Sequence, residues 1–182
     1  MKNKTFIRLI FCISLSILGC SKDSTVSKEL TTSEQGYVLL KTRGATQISG
    51  VGFYAEQDEC NAVSQGATYA VRMTGNLEGC LYVFVDDFDC SPSGTYRETG
   101  REYFVGTYNG GTGTFWTAYK FSSKFEGCAE DGSYLGSEIF GRCQHPIVVG
   151  SGTGVFKGVT GRMDFKDDIE AGNFPYRGHL QF

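Results

Sequence analysis

Proline is scarce in this chain, 3 among 182 residues, and histidine stands at 2, methionine at 3 and tryptophan at 1. Positive charge is not in excess. The formal net charge is −3, so no basic field draws in nucleic acid. No Cys-x-x-Cys occurs, which removes the spacing of the redox motif and of the zinc ribbon. No Gly-x-Ser-x-Gly elbow accompanies either histidine, so a nucleophile of that type is missing. The glycines at 150, 152 and 154 lack both dinucleotide-loop and Walker spacing, and no βαβ unit surrounds them. They read as a turn with close backbone approach. The apolar run at residues 9–18 falls short of the roughly 20 residues a spanning helix needs. From residue 36 onward no stretch keeps a helical period over three turns.

What is present is glycine with aromatics: Gly 25, Phe 14 and Tyr 10. Disordered chains lack aromatics, so the glycines belong to the turns and bends of a packed β protein. At the start, Lys2, Lys4 and Arg8 precede the apolar run, and Gly19 precedes Cys20. That is a secretory signal with a small-residue cleavage site. Ile17-Leu18-Gly19-Cys20 resembles a bacterial lipobox, which implies that Cys20 is acylated and that the chain is cut just before it. Cys20-Ser21-Lys22-Asp23 resembles the start of many lipoproteins of the Bacteroidota. These resemblances imply an outer-membrane, lipid-anchored protein on the periplasmic or cell-surface face.

The expected organisation is a signal peptide at 1–19, a flexible polar tether at 20–35 and one folded domain at 36–182. Within that domain the period is two. Tyr69, Val71 and Met73 alternate with Ala70, Arg72 and Thr74. Phe115, Thr117, Tyr119, Phe121, Ser123 and Phe125 share one face of another strand. Val159, Gly161, Met163 and Phe165 share a third, and Phe174, Tyr176, Gly178, Leu180 and Phe182 a fourth. Residues 81–85 are apolar on both faces, so that strand is covered on both sides or carries a partner surface. Asn109-Gly110-Gly111 is a strong hairpin turn. Regular strands and short turns predict an all-β, antiparallel up-and-down β-barrel of about eight strands, whose last strand closes on its first.

The passage Gly150-Ser151-Gly152-Thr153-Gly154-Val155-Phe156-Lys157-Gly158-Val159-Thr160-Gly161, leading into an alternating strand, resembles the allene oxide cyclase-like and dirigent-like barrel families. The likeness spans residues 68–182 and is at the level of the fold. It implies an eight-stranded barrel with an apolar cavity and, commonly, homo-oligomers. No catalytic residue of those families falls on a matching motif here.

The aromatic face of Phe115, Tyr119, Phe121 and Phe125 is the candidate cavity lining. Such side chains either fill a small barrel or leave room for one small ligand. Glu98, Glu102 and Glu138 lie in strand-like segments. They face water unless the strands turn them inward, where burial would make one a general acid or base. His145 precedes Pro146 at a strand end or bend, and His179 falls on an outward face. Asp86, Asp87 and Asp89 read as a solvated strand end rather than a calcium loop. No metal site and no cofactor is expected. The expected function is binding of a hydrophobic small molecule or a partner protein; the alternative is an isomerase or cyclase acting on an apolar substrate inside the barrel.

Exported cysteines read first as disulfides. Cys12 leaves with the signal and Cys20 takes the lipid, so Cys60, Cys80, Cys90, Cys128 and Cys143 remain. In a meander, successive turns alternate between rims. Cys90 and Cys128 then share a rim, and Cys60 enters from it. Cys80 starts a strand at the opposite rim. Bridged Cα atoms lie within about 7 Å, so one bridge is expected among Cys60, Cys90 and Cys128. Cys80 with Cys143 is the lesser expectation, the alternative being Cys143 buried as a small hydrophobe.

Overall fold

The computed structural model of the protein describes residues 28–32, 38–42 and 44–182. The signal peptide, Cys20 and most of the 20–35 tether lie outside the described residues. β1 (Lys28–Thr32) and β2 (Val38–Thr42) pair antiparallel as a two-stranded unit of their own. The second unit, Arg43–Phe182, holds the remaining strands.

Eight of those strands close a barrel: β3 (Thr46–Tyr54), β4 (Tyr69–Gly75), β5 (Glu78–Cys90), β6 (Thr95–Tyr108), β7 (Gly111–Cys128), β8 (Tyr134–Pro146), β10 (Thr160–Lys166) and β11 (Phe174–Gln181). Each pairs antiparallel with the next around the ring, and β11 pairs with β3 from Phe174↔Gly52 to Leu180↔Thr46. The C-terminal strand therefore closes on the first, as the alternation predicts. β9 (Thr153–Gly154) lies outside the ring against β7. The described helical structure is a single 3-10 turn, Val63–Gln65.

Local chemistry explains the turns. Asn109 (φ 49°) and Gly110 (φ 78°) both adopt positive φ, which is the type I′ hairpin that the Asn-Gly pair favours. The glycine-rich stretch before β10 runs along the first part of β7, with Thr153 and Gly154 paired to Thr114 and Gly113. A Cβ on Gly113 or Gly152 would collide with the backbone of that stretch. So the glycines serve close backbone approach, and Phe156 is carried inward by them.

The two ends of the barrel differ. At the end with the β6–β7 turn, Phe156 meets Phe104 (5.7 Å) and Phe115 (4.9 Å), and Phe104 stacks on Phe115 at 5.0 Å. Leu77, Val159, Met163 and Leu180 complete this fully buried plug. Tyr176 ties it to the β4–β5 turn, accepting from the Leu77 N–H (3.0 Å) and donating to the Thr74 carbonyl (3.1 Å).

At the other end the wall is uneven. β4 pairs with β5 only as far as Tyr69↔Val83, and β10 pairs with β8 only from Lys166↔Arg142. The far halves of β5, β6, β7 and β8 therefore rise past the rim on one side. A small second core of Cys90, Tyr96 and Phe125 supports this extension. Asp86, Asp87 and Asp89 lie exposed on its β5 edge, the solvated strand end expected of them.

Among the described residues two disulfides are present. Cys90–Cys128 joins the ends of β5 and β7, with Cα atoms 5.6 Å apart, and is the within-rim bridge expected. The second, Cys60–Cys80 (Cα–Cα 5.8 Å), corrects the Cys80–Cys143 expectation. Simple alternation of turns between rims places Cys60 and Cys80 at opposite ends. Residues 55–68, however, fold back along the outer wall, where Glu59 pairs with Arg72 at 2.9 Å, and so reach down to Cys80. This loop covers Ala70, leaving it 3 % exposed. Beside it the outer face of β5 continues as half-buried aromatics, with Phe84 near Trp116 (5.5 Å) and Trp116 on Tyr103 (4.8 Å). That accounts in part for the strand that is apolar on both faces. Cys143 is free and buried.

Candidate functional site

The inward alternation that fills the plug end changes character toward the open end. On β6 the inward positions run Phe104, Glu102, Gly100, Glu98, Tyr96. On β7 they run Phe115, Thr117, Tyr119, Phe121; Ile147 lies just past β8, and on β8 His145, Cys143 and Gly141 follow. Past the apolar plug the strands thus bring Glu98, Glu102, Tyr119 and His145 inward. Beyond the plug they enclose a cavity of about 330 Å³. This lies at the lower end of the usual size range for ligand sites, roughly 300–1,000 Å³.

Its floor is a buried pair. His145 Nδ1 and the Thr117 hydroxyl both contact Glu102 Oε2 at 2.5 Å. The His145 and Glu102 side chains are only 5 % and 4 % exposed. A buried carboxylate is tolerable only with such partners. The other ring nitrogen, His145 Nε2, is buried with no hydrogen-bond partner. The ring lies between Phe165 (4.6 Å) and Tyr119 (6.0 Å), which fixes its plane.

Higher in the cavity, Glu98 accepts from the Tyr96 hydroxyl and the Tyr119 hydroxyl, each at 2.7 Å. Gly100 permits this: a Cβ there would strike the Tyr119 ring. Burial first, then the bond to Glu98, pushes the Tyr96 and Tyr119 phenols up, so both stay protonated donors. Burial also pushes up the Tyr69 phenol, and the Cys143 thiol with Glu102 adding to it. Cys143 is therefore a neutral thiol and not a nucleophile.

Glu138 and Asp167 converge over Gly141, where a Cβ would collide with both carboxyl groups. Burial, and then Asp167, pushes Glu138 up to about 7. Burial likewise raises Asp167. The two carboxyls therefore share a proton near neutrality. Around the mouth, Tyr54 meets Phe174 edge-on at 4.8 Å and Tyr69 at 5.8 Å. Across from them Tyr134 stacks on Phe125 at 4.1 Å.

Of the aromatic face expected to line a cavity, Tyr119, Phe121 and Phe125 do so. Phe115 points inward but packs in the plug. Glu98, Glu102 and Glu138, expected to face water, all line the cavity; the strand register turns them inward. His145, expected at a strand end or bend, is at the end of β8 and buried. Alternation in β6 carried the signal: Tyr96, Glu98, Glu102 and Phe104 have equal parity, so an inward Phe104 brings both glutamates with it. Asp167 follows β10 and carried no sequence signal. Among the described residues, no three His, Cys, Asp or Glu side chains are placed to hold a metal ion.

No family model, no curated protein and no solved structure matches the chain. The site's own geometry is what speaks to function.

Proposed function

We propose that the protein is a binding module that holds a small molecule with an apolar body in the open end of its barrel. The observation that carries this is the cavity of about 330 Å³, closed below by the Phe104–Phe115–Phe156 plug and ringed by aromatic side chains. Area buried on those rings supplies affinity, and the few polar groups set orientation. The signal-like N-terminus adds an address: a lipid on Cys20 would hold the barrel at the outer membrane. The barrel itself agrees with what the allene oxide cyclase-like resemblance implies, and fold alone does not assign function.

Native mass spectrometry of protein purified from its own cells tests the binding reading. The expected result is a non-covalent adduct lost on denaturation. A cavity that stays empty, in a protein whose melting temperature no small-molecule panel moves, would sink it. For the address, Cys20→Ser should leave uncleaved precursor or release the domain from membranes. A mature protein whose N-terminal cysteine bears no acyl mass overturns that part.

A second reading rests on one observation, the Glu102–His145 pair. A carboxyl on Nδ1, with Nε2 unpartnered on the wall of a cavity that mixes aromatic and ionisable side chains, is an arrangement for proton transfer. It suits an isomerase or cyclase acting on an apolar substrate. Once a ligand is identified, His145→Gln should abolish its turnover while leaving its binding within a few fold. Equal turnover in the variant ends the enzymatic reading.

A further inference from the structure

We infer that the cavity selects a protonated amine carried on a flat apolar body over neutral or anionic molecules of the same shape. This rests on the binding reading above and names its ligand class.

The lining carries charge of one sign. Glu98, Glu102, Glu138 and Asp167 line the cavity, and among the described residues no lysine or arginine does. His145 is its single basic side chain, and it is already engaged by Glu102.

Two of these carboxyls have no cationic partner among the described residues. Glu102 is held by Thr117 and His145, and Glu98 by two tyrosine hydroxyls. Glu138 and Asp167 have only each other. Among the described residues no arginine, lysine or histidine forms an ion pair with either; the ion pairs there are Arg72–Glu59, Arg101–Asp86, His145–Glu102 and Arg162–Asp164. Glu138 Oε1 is buried without a hydrogen-bond partner.

A buried histidine nitrogen on the same wall also lacks a partner: His145 Nε2, on a side chain only 5 % exposed. Nδ1 is taken up by the Glu102 carboxyl, so Nε2 is the ring atom left for a ligand. Of the two unpartnered buried atoms on the wall, Glu138 Oε1 is the acidic one, and a protonated amine brings it a donor. Buried groups left unmatched cost free energy, so a neutral isostere would leave that cost in place and an anion would raise it.

The arrangement suits an organic cation rather than a metal ion. The acceptors are dispersed rather than gathered, and no three His, Cys, Asp or Glu side chains among the described residues could share one metal ion. Tyrosine and phenylalanine rings stand between them. Ring faces attract organic cations, and the Tyr54, Tyr69 and Phe174 cluster lies at the same mouth.

The test is isothermal titration of the purified full chain with three probes of one body: tryptamine, tryptophol and indole-3-propionate. Tryptamine should bind about tenfold or more tighter than tryptophol, the equivalent of about 1.4 kcal/mol. Indole-3-propionate should be weakest. Glu138→Gln/Asp167→Asn should bring tryptamine to within about threefold of tryptophol, leaving tryptophol unchanged. Both substitutions remove like charge, and circular dichroism confirms the strand content of the variant. If tryptophol binds as tightly as tryptamine, or the preference survives the double substitution, amine selectivity is wrong and the binding reading stands. If none of the three binds and native mass spectrometry shows no adduct, both fall together.

Discussion

Single residues in this barrel are constrained most tightly where a polar atom is buried. Tyr176 is 1 % exposed and its hydroxyl serves both the Leu77 N–H and the Thr74 carbonyl. Tyr176→Phe keeps the ring and strands that N–H. We expect a loss of about 1–3 kcal/mol in chemical denaturation, with the cavity's ligand affinity unchanged. Glu138 is constrained in another sense. Burial and Asp167 hold it up at about 7, above its ordinary 4.5. A carboxyl raised on folding stabilises the fold fully below its ordinary value, and that contribution disappears as pH rises through the folded value. The wild-type melting temperature should therefore decline from about pH 5 to about pH 8. Glu138→Gln should flatten that decline and melt higher than wild type at the alkaline end. An identical pH profile in the variant would show that the two carboxyls do not share a proton. Cys143, buried and raised, should react with a thiol reagent only at the rate of unfolding.

Among the elements, the extended halves of β5, β6, β7 and β8 depend least on the closed ring. Their edges lack neighbours past Tyr69 and Lys166, and their own core is small. The Cys90–Cys128 bridge, spanning 38 positions, compensates. In the chain-entropy account such a closure stabilises by about 3–4 kcal/mol. Replacing both cysteines by serine should speed amide exchange in residues 86–98 and 121–140 and weaken ligand binding, since Glu98, Phe125 and Tyr134 stand on those halves. Replacing Cys60 and Cys80 instead should free the 55–68 loop from the outer wall and leave exchange at the mouth unaltered. The reverse pattern would mean that the mouth is braced by the loop.

The whole molecule divides its interior between stability and binding. One end is filled by aromatic rings, and the other is left open with ionisable groups. A substitution in the filled end should cost stability without touching the ligand. Phe156→Ala removes a fully buried ring shared with Phe104 and Phe115. It should cost about 3–5 kcal/mol while ligand affinity stays within a few fold. A large affinity loss at unchanged stability would contradict this division.

The amino-acid sequence by itself determined the meander and the inward aromatic faces of its main strands, but not the inward turn of Glu98, Glu102 and Glu138. Period-two patterning and the Asn109-Gly110 turn are local signals, and burying one face of each strand favours a single register. Topology narrowed a within-rim bridge to a pair among Cys60, Cys90 and Cys128, and the fold chose Cys90 with Cys128. Only the tertiary structure decided what the inward faces enclose. Glu98 and Glu102 share the parity of Phe104, but whether a carboxylate can stay inside depends on what faces it. Thr117 and His145 face Glu102, and Tyr96 and Tyr119 face Glu98. Glu102 meets His145 across 43 positions and Tyr119 meets Glu98 across 21. Such pairings depend on strand register and barrel closure, and no local pattern encodes them. The Cys60–Cys80 bridge was hidden for a related reason: a loop longer than a tight turn can leave its rim, and which wall it covers is settled by packing.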